Sequence, residues 1–399
     1  MLRIVLKMPK IEAKAMIATT LAIALFLGMS VQIKANEVQS IGINAKASLL
    51  MEAESGKILV EHNSRERLAP ASVTKVMTML LIYEALEQER ITWDQIVTVS
   101  DHAASMGGSQ IFLEPGEQQT VRDLVKSIVI ASANDASVAM AELLAGTEEG
   151  FVQMMNKRAA ELGMKDTNFN NACGLDSPGH VSSAHDIAIM SRELITNHPK
   201  VFEFTKTRLD KIIHRTRRGE EEFGLTNTNR LIRSYPGATG LKTGSTGEAL
   251  FCISATAEKD GMSLIAVIMG APDPATRFDS AMKLFDYGYA NYAVVQKEPA
   301  GTPMGEITVY KGNIQLSPVV IKEQTNVLVP KGKHVVIDHY VEIANSINAP
   351  VDKYTKAGEI VYTCEGNEVG RSDLVIPEVI EKAAVQDIME RLFVRWLAG

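Results

Sequence analysis

The feature that most constrains how this chain can fold is a set of three short motifs in one order. They are Ser72-Val73-Thr74-Lys75, Ser132-Ala133-Asn134 and Lys242-Thr243-Gly244. Each motif alone is weak evidence, because about one or two S-x-x-K matches arise by chance in a chain of this length. Partial repeats at Ser280-Ala281-Met282-Lys283 and Ser346-Ile347-Asn348 both follow the one Lys-Thr-Gly, so neither can open the set. The ordered set predicts a fold that brings three distant segments together.

The first motif lies at the start of a predicted helix. Apolar residues recur at helical spacing from Val73 to about Glu89, so Ser72 and Lys75 are expected one turn apart on the same face. A serine hydroxyl needs an adjacent base to act as a nucleophile. Lysine supplies that base only when its pKa falls by about 3 units, which burial or a nearby cation such as Lys242 can cause. The motif predicts a nucleophile, Ser72, activated by Lys75.

The second motif lies at a predicted junction between helices at 121–131 and 135–144. At such a junction Ser132 can relay a proton, and Asn134 can bind a substrate amide. Capping of a helix by these two residue types is the alternative interpretation.

The third motif lies on a predicted edge strand. Lys242 and Thr243 are suited to bind a carboxylate, and Gly244 lets a ligand approach the backbone closely. The backbone N–H groups of Ser245 and Ser72 are a candidate oxyanion hole, in which each donor contributes roughly 3–4 kcal/mol. Alone, K-T-G in a strand is more often a simple turn.

Hydrophobic patterning predicts an α/β (α+β) domain followed by a small all-β domain. Strand-like runs at 45–62 and 238–270 enclose the helical segments in sequence and are expected to form one mainly antiparallel sheet flanked by helices. Pro and Gly around 296–305 indicate a linker, and short strand-like runs fill 305–375. Further helices are predicted at 151–163, 184–197 and 275–289. The predicted divisions are 1–35 (signal peptide), 36–295 (catalytic domain), 296–375 (β domain) and 376–399 (amphipathic helix).

The N-terminus carries an export signal. Basic residues up to Lys14 precede an uncharged run from Met16 to Ile33, which predicts a secretory signal peptide ending near Ala35. An uncleaved anchor is the alternative, because a run of this length nearly spans a bilayer. In both cases the body of the protein is expected outside the cytoplasmic membrane.

The C-terminus is predicted to form an amphipathic helix that opens at Pro377. Its apolar residues recur at every fourth position: Ile380, Ala384, Ile388, Leu392 and Trp396. A terminal apolar stripe that ends in aromatic residues with arginines nearby suits the membrane surface. Docking on the protein's own surface is the alternative.

Other function classes fit less well. A net charge of −7 lacks the basic footprint of a nucleic-acid binder. G-x-S-x-G and H-E-x-x-H are absent, and no third ligand at a recognised spacing accompanies His180, His185 and Asp186, so no metal or cofactor is expected. The scattered cysteines are expected to be buried apolar residues, with one disulfide as the alternative: Cys173, Cys252 and Cys364.

Together the motifs resemble those of the penicillin-recognising serine enzymes, and within them the D-alanyl-D-alanine carboxypeptidases of peptidase family S11, the low-molecular-mass penicillin-binding proteins. The resemblance extends to the strings LAPASVTKVMT, SANDASVAMAE, NACGLDSPGHVSSAHDIA and GLKTGSTGEAL. It also includes the order of the domains, so it covers essentially the whole mature chain.

The resemblance implies a serine β-lactamase/transpeptidase-like fold in which Ser72 attacks the bond between two D-alanines of a peptidoglycan stem peptide. Water then hydrolyses the acyl-enzyme, and β-lactam antibiotics acylate the same serine. Arg277 matches a position where the family places an arginine near the substrate carboxylate. The family carries Gly where this chain has Ala133, and little effect is expected because that residue contributes mainly backbone.

Two other functions remain open on this fold. A class A β-lactamase uses a glutamate in an E-x-x-x-N pattern, which Glu193 and Asn197 match, although the match sits inside a helical pattern and far from Ser132. A non-catalytic penicillin-sensing or wall-binding protein is the second alternative, but it has no need of a nucleophile with its base.

Overall fold

The computed structural model of this chain describes residues 41–216, 219–332 and 335–398. The predicted signal peptide lies outside these ranges. The described chain forms two compact units, one extending to Tyr287 and one from Gly288 onward, with the hairpin tips Ala53–Ser55 and Glu258–Ser263 grouped with the second. The second unit begins before the expected boundary at residue 296, because Tyr292–Gln296 pairs with a strand of that unit.

The elements are numbered in chain order. The helices are α1 (Lys75–Glu87), α2 (Asp101–Ala104), α3 (Val121–Lys126), α4 (Asn134–Ala145), α5 (Glu148–Glu161), α6 (Ala184–Asn197), α7 (Phe202–Thr205), α8 (Leu231–Ser234), α9 (Pro274–Asn291) and α10 (Val385–Ala398). The strands are β1 (Ala47–Glu52), β2 (Ile58–His62), β3 (Ile96–Thr98), β4 (Gln118–Thr120), β5 (Leu209–Thr216), β6 (Gly219–Thr226), β7 (Ala238–Thr246), β8 (Leu250–Lys259), β9 (Met262–Ala271), β10 (Tyr292–Gln296), β11 (Pro303–Tyr310), β12 (Leu316–Ile321), β13 (Asn326–Pro330), β14 (Ile337–Ile343), β15 (Ser346–Asn348), β16 (Lys356–Cys364) and β17 (Asn367–Val375).

The first unit is built on a five-stranded sheet in the order β2-β1-β9-β8-β7. Strand β1 pairs antiparallel with β2 and β9, and β7 pairs antiparallel with β8. The central strand β9 has the apolar sequence MSLIAVIMGA and is buried along almost its whole length, as expected for a strand covered on both faces. The sheet thus combines the N-terminal strands β1 and β2 with the later strands β7, β8 and β9, as the patterning predicted. Strand β7 lies at its edge.

Helix α1 forms part of the core of this unit. Ten of its 13 residues are buried, and a helix that is apolar on all sides belongs in a protein interior. It begins later than expected, because Ala71–Thr74 forms a 3₁₀ turn that leads directly into it. Residues three apart are eclipsed in a 3₁₀ turn, so Ser72 and Lys75 still share a face.

The helix expected at 121–131 is divided. Helix α3 ends at Lys126, and a π-helical turn follows over Ser127–Ala131. The turn ends at Ser132, whose φ of 64° lies in the left-handed region. The antiparallel hairpin of β5 and β6 was not predicted from the sequence.

The second unit confirms the predicted small all-β domain. A six-stranded sheet has the order β14-β16-β17-β12-β11-β15, and β10 pairs with β13 in a separate ladder. Its core contains apolar residues from these strands, among them Ile307, Val319, Val327, Ile360 and Leu374.

The prediction that the terminal helix opens at Pro377 is wrong. Helix α10 begins at Val385. Before it, Ile380 and Val351 exchange two backbone hydrogen bonds of 2.9 Å, and Ile380 packs into the core of the second unit. This segment is therefore extended, and Ile380 and Ala384 do not belong to the helical stripe. No helix in the described ranges is long and apolar enough to cross a membrane.

Candidate active site

The turn that carries Ser72 places its hydroxyl beside Lys75. The chain enters the turn at Ala71 with a positive φ of 48°, and one turn later the Nζ of Lys75 lies 3.0 Å from the Oγ of Ser72. This distance is within hydrogen-bonding range. The nucleophile and base predicted from the first motif are thus in direct contact.

Lys75 is fully buried and is held by polar groups. Its Nζ donates to Asn134 Oδ1 at 2.6 Å and to the Cys173 carbonyl at 2.7 Å, and the residue is 0% exposed. Burial lowers the pKa of Lys75 from 10.5 to about 8, although electrostatic contributions from Cys173 and Asp135 oppose the shift. A substantial neutral fraction near neutral pH is what a general base needs.

The π-helical turn ends at Ser132 and positions its hydroxyl in the active site. A non-glycine residue in the left-handed region costs roughly 1–2 kcal/mol, so the surrounding structure holds Ser132 there against a local preference. Its Oγ accepts a hydrogen bond of 2.8 Å from Lys242 Nζ. Ser132 therefore lies beside the second buried lysine of the site.

Asn134 is the first residue of α4, and both ends of its side chain are fixed. Its Oδ1 accepts from Lys75, and its Nδ2 donates to the Gly107 carbonyl at 2.7 Å. One further N–H on that amide stays available. The next residue, Asp135, is fully buried and accepts backbone N–H groups of Ile111 and Leu113 at 3.0 and 3.1 Å. Asp135 thus ties the loop over Asn134 to the start of the helix.

Strand β7 presents the third motif against the Ser72 turn. Thr243 Oγ1 donates to Thr228 Oγ1 at 2.7 Å. A Cβ at Gly244 would lie 2.8 Å from the backbone N of Ser72 and 2.9 Å from that of Val73. Only a residue without a side chain permits this approach, so Gly244 places the edge of β7 beside the N–H predicted for the oxyanion hole.

Lys242 is the second buried lysine at the centre of the site. It is 1% exposed, and its Nζ also donates to the Thr243 carbonyl at 3.0 Å. Burial, together with the charges of Lys75 and Arg277, holds the pKa of Lys242 well below its ordinary value. The positive charge of Lys75 is therefore one reason why Lys242 binds its proton weakly.

Arg277 and Ser245 lie at the far end of the third motif. Arg277 extends from α9, and its Nη1 donates to the carbonyls of Gly244 at 3.2 Å and Cys252 at 3.4 Å. Its guanidinium carbon is 4.4 Å from the ring centroid of Phe278. Ser245 is exposed. The structure therefore brings a cation and an exposed serine to one end of the edge strand.

The segment that packs against the Ser72 turn at Gly174 was not predicted from the sequence. A Cβ at Gly174, where φ is 87°, would meet the Ala71 carbonyl oxygen at 1.9 Å. Asn171 Oδ1 accepts the Gly174 N–H at 2.6 Å, and the Cys173 carbonyl binds Lys75. The string NACGLD was part of the resemblance, but nothing in its spacing indicates a contact with Lys75.

His180 has a structural role in this arrangement. Its Nδ1 accepts the Asn170 N–H at 3.0 Å, so its Nε2 carries the proton and donates to Thr74 Oγ1 at 2.8 Å. Burial lowers the pKa of His180 to about 4, so the ring is neutral and braces the Ser72 turn. Across the described ranges, no group of three or more His, Cys, Asp or Glu could hold a metal ion.

Comparison of this chain with known proteins shows the family to which it belongs. The model of the D-alanyl-D-alanine carboxypeptidase family, peptidase S11, matches residues 33–273, and that of the penicillin-binding protein 5 C-terminal domain matches 295–382. D-alanyl-D-alanine carboxypeptidase DacF of Bacillus subtilis is 42% identical over 353 residues, which cover 88% of this chain and 90% of the relative. This chain belongs to the S11 D-alanyl-D-alanine carboxypeptidase family.

Solved structures of S11 relatives have the same fold. Penicillin-binding protein 5 of Haemophilus influenzae is 30% identical with a TM-score of 0.70, over 85% of this chain and 98% of that one. Penicillin-binding protein D2 of Listeria monocytogenes, solved in an ampicillin-bound form, is 33% identical with a TM-score of 0.52, over 62% of this chain and 98% of that one. The predicted fold class is confirmed.

Within the S11 fold, the competing motifs have other contacts. Glu193, from the E-x-x-x-N string, lies on α6, and its carboxylate accepts from Arg158 Nη2 at 2.6 Å. Lys283, from the second S-x-x-K string, bonds to Asp279 and to the Gly42 carbonyl. Ser280 is buried, and its hydroxyl has no partner among the described residues. The geometry therefore selects the Ser72 motif. The cysteines Cys173, Cys252 and Cys364 are free.

Proposed function

We propose that this protein is a serine-type D-Ala-D-Ala carboxypeptidase that removes the terminal D-alanine from peptidoglycan stem pentapeptides. The observation that carries the proposal is the contact of 3.0 Å between Ser72 Oγ and the buried Nζ of Lys75. A serine with a desolvated lysine as its base forms acyl-enzymes. The relative DacF of Bacillus subtilis is named a D-alanyl-D-alanine carboxypeptidase.

In the first step neutral Lys75 takes the proton of Ser72 as its Oγ bonds to the carbonyl carbon of the penultimate D-alanine. The oxyanion that forms faces the backbone N–H groups of Ser72 and Ser245. Each such donor contributes roughly 3–4 kcal/mol to the transition state. The close approach of Gly244 to the Ser72 nitrogen supports this assignment.

Collapse of the tetrahedral intermediate breaks the C–N bond and releases D-alanine. The leaving nitrogen needs a proton, which passes from Lys75 through the Ser132 hydroxyl. The bond between Ser132 and Lys242 holds that hydroxyl in place. Water then attacks the ester, with Lys75 again the base, and regenerates Ser72.

The substrate is oriented by groups on either side of the scissile bond. Asn134 binds an amide on the acyl side through its remaining N–H. The terminal carboxylate binds Thr243, Ser245 and Arg277, since a hydrogen bond to an ionised acceptor is stronger than one between neutral groups. Lys242 fixes the positions of Ser132 and of the Thr243 backbone through its Nζ.

β-Lactams place a strained amide and a carboxylate in similar positions, so they are expected to acylate Ser72. The related Listeria protein, solved with ampicillin bound, supports this expectation. No cofactor enters the scheme, because the chain's own groups supply nucleophile, base and oxyanion donors.

The substrate class requires a location outside the cytoplasmic membrane. We propose that residues 1–35 are a secretory signal peptide and that α10 holds the mature chain on the outer face of that membrane. The sequence of α10 supports this: its exposed apolar residues Val385, Ile388, Met389, Phe393 and Trp396 follow helical spacing.

The test is release of D-alanine from a synthetic pentapeptide together with intact-mass analysis after addition of benzylpenicillin. We expect release by the mature chain, a long-lived adduct of one penicillin, and loss of at least ~1,000-fold in activity with Ser72→Ala. Ser280→Ala is the matched control and keeps the adduct. Rapid adduct loss with drug hydrolysis would identify a β-lactamase instead. An adduct without D-alanine release would identify a penicillin-sensing protein.

A further inference from the structure

A cavity of about 600 Å³ opens at the end of the site assigned to the terminal carboxylate. Its wall includes Ser245 and Arg277 and continues to Arg208, Arg230 and Arg233. Cavities of about 300–1,000 Å³ accommodate drug-sized ligands, so this space exceeds what a single alanine fills.

The arginines of this cavity are not neutralised by the protein. No Asp or Glu lines the cavity, and in the described part of the chain no carboxylate pairs with Arg208, Arg230 or Arg233. The Nε of Arg277 is buried and has no hydrogen-bond partner there. In a chain with a net charge of −7, four arginines around one cavity that has no lining carboxylate are suited to bind an anion.

Arg230 extends from a turn whose shape is fixed before any ligand arrives. Asn227 Nδ2 donates to the Thr207 carbonyl at 2.8 Å, and the Asn229 N–H donates to Asn227 Oδ1 at 2.9 Å. Asn229 Nδ2 also donates to the Gly240 carbonyl on β7 at 2.7 Å. A preorganised backbone loses less conformational entropy on binding, and the last contact links the turn to the strand of the third motif.

We propose that this cavity binds a second carboxylate on the leaving group. The inference rests on the proposed function. Ser72 Oγ still bonds to the carbonyl carbon, the C–N bond still breaks, and the serine proton still reaches the leaving amine. The α-carboxylate stays at Ser245 and Arg277, while a carboxylate further along the leaving residue or peptide reaches Arg208 and Arg230. The enzyme therefore prefers acidic leaving groups to neutral ones of the same shape.

The test compares two substrates that differ in that one charge. Diacetyl-L-lysyl-D-alanyl-D-glutamate and the matching D-glutamine peptide have nearly identical leaving groups. We expect kcat/KM for the D-glutamate peptide to be about 5-fold higher or more, the upper range for a solvent-exposed ion pair. The ratio should fall toward one in the double variant Arg208→Gln with Arg230→Gln. Lys157→Gln with Lys165→Gln removes two exposed cations elsewhere in the first unit, so it is the charge-matched control and should keep the ratio.

Equal kcat/KM values in the wild type would overturn the inference, as would a ratio that survives in the double variant. Calorimetric binding of both peptides to the Ser72→Ala variant measures the same selectivity without chemistry. Tighter binding of the D-glutamate peptide, lost in the added double variant, supports the cavity even if turnover is absent. Absence of D-alanine release from the D-Ala-D-Ala peptide would count against the proposed function alone.

Discussion

The Nζ atom of Lys75 lies 3.0 Å from the Oγ atom of Ser72 at the buried start of α1. The 3₁₀ turn that carries Ser72 and the helix that follows it together produce this contact. Residues three apart meet on one face, and a helix that is apolar all round carries its first residue out of water. A surface helix with the same S-x-x-K spacing would leave the lysine hydrated, with an ordinary pKa.

The first prediction concerns the pH dependence of acylation. The neutral form of Lys75 is the base, and its pKa is lowered by burial to about 8, so the rate should rise with pH up to about that value. At pH 6 the neutral fraction, and with it the rate, should be roughly 100-fold below the plateau, since each pH unit is a factor of ten. Stopped-flow acylation with a fluorescent penicillin measures this.

Because Lys242 is coupled to Lys75, the midpoint belongs to the pair. A circular-dichroism titration over the same range serves as the control for unfolding. A rate that is constant from pH 6 to pH 9 would show that the lysine is not the base.

The second prediction concerns Gly244. A Cβ there would meet the Ser72 and Val73 backbone nitrogens at 2.8 and 2.9 Å, so Gly244→Ala should push β7 away from the Ser72 turn. We expect acylation to fall by about 100-fold, the scale of a displacement of about 1 Å in a reacting geometry. Gly247→Ala is the control, because a Cβ at Gly247 has no neighbour within 4 Å. Similar penicillin acylation rates in the two variants would contradict this packing argument.

The third prediction concerns Asp135. Its oxygens accept backbone N–H groups from Ile111, Leu113 and Ala136. In Asp135→Asn an NH₂ group replaces one acceptor and leaves a buried N–H unpaired, which costs about 1–3 kcal/mol. The urea midpoint should fall accordingly. Asp279→Asn, at an exposed ion pair, should change stability by less than about 0.5 kcal/mol. If Asp135→Asn and the wild type had equal urea midpoints, other contacts would hold the loop that contains Ile111 and Leu113.

The sequence was sufficient to predict that the side chains of the three motifs lie together. It did not predict every backbone group that positions them. Spacing along one helix brought Ser72 and Lys75 together, and the order of the motifs predicted Lys242 at the same place. The contact between Lys75 and the Cys173 carbonyl depends on how a long loop folds back, and any residue type has a carbonyl. The left-handed φ of Ser132 follows from a π-helical turn, which no residue pattern indicates.

The terminal helix shows where hydrophobic periodicity is ambiguous. Ile380 lies at the same four-residue spacing as Ile388 and Trp396, yet it pairs with Val351 and is buried in the β core. Period-four spacing also satisfies the period-two pattern of a strand. Tertiary pairing decides between the two, and the sequence alone does not record it.

The last prediction concerns α10. Phe393 and Trp396 are 61% and 77% exposed, and burying two such aromatic side chains in a membrane interface should strengthen binding by more than about 10-fold. The mature chain should co-sediment with vesicles containing anionic lipid, whereas Phe393→Ala with Trp396→Ala should stay largely in the supernatant. Tyr340→Ala with Tyr354→Ala, which removes two exposed aromatics elsewhere in the second unit, is the matched control and should still sediment. If the Phe393 and Trp396 variant sediments like the wild type but unfolds at lower urea, the helix docks on the protein itself.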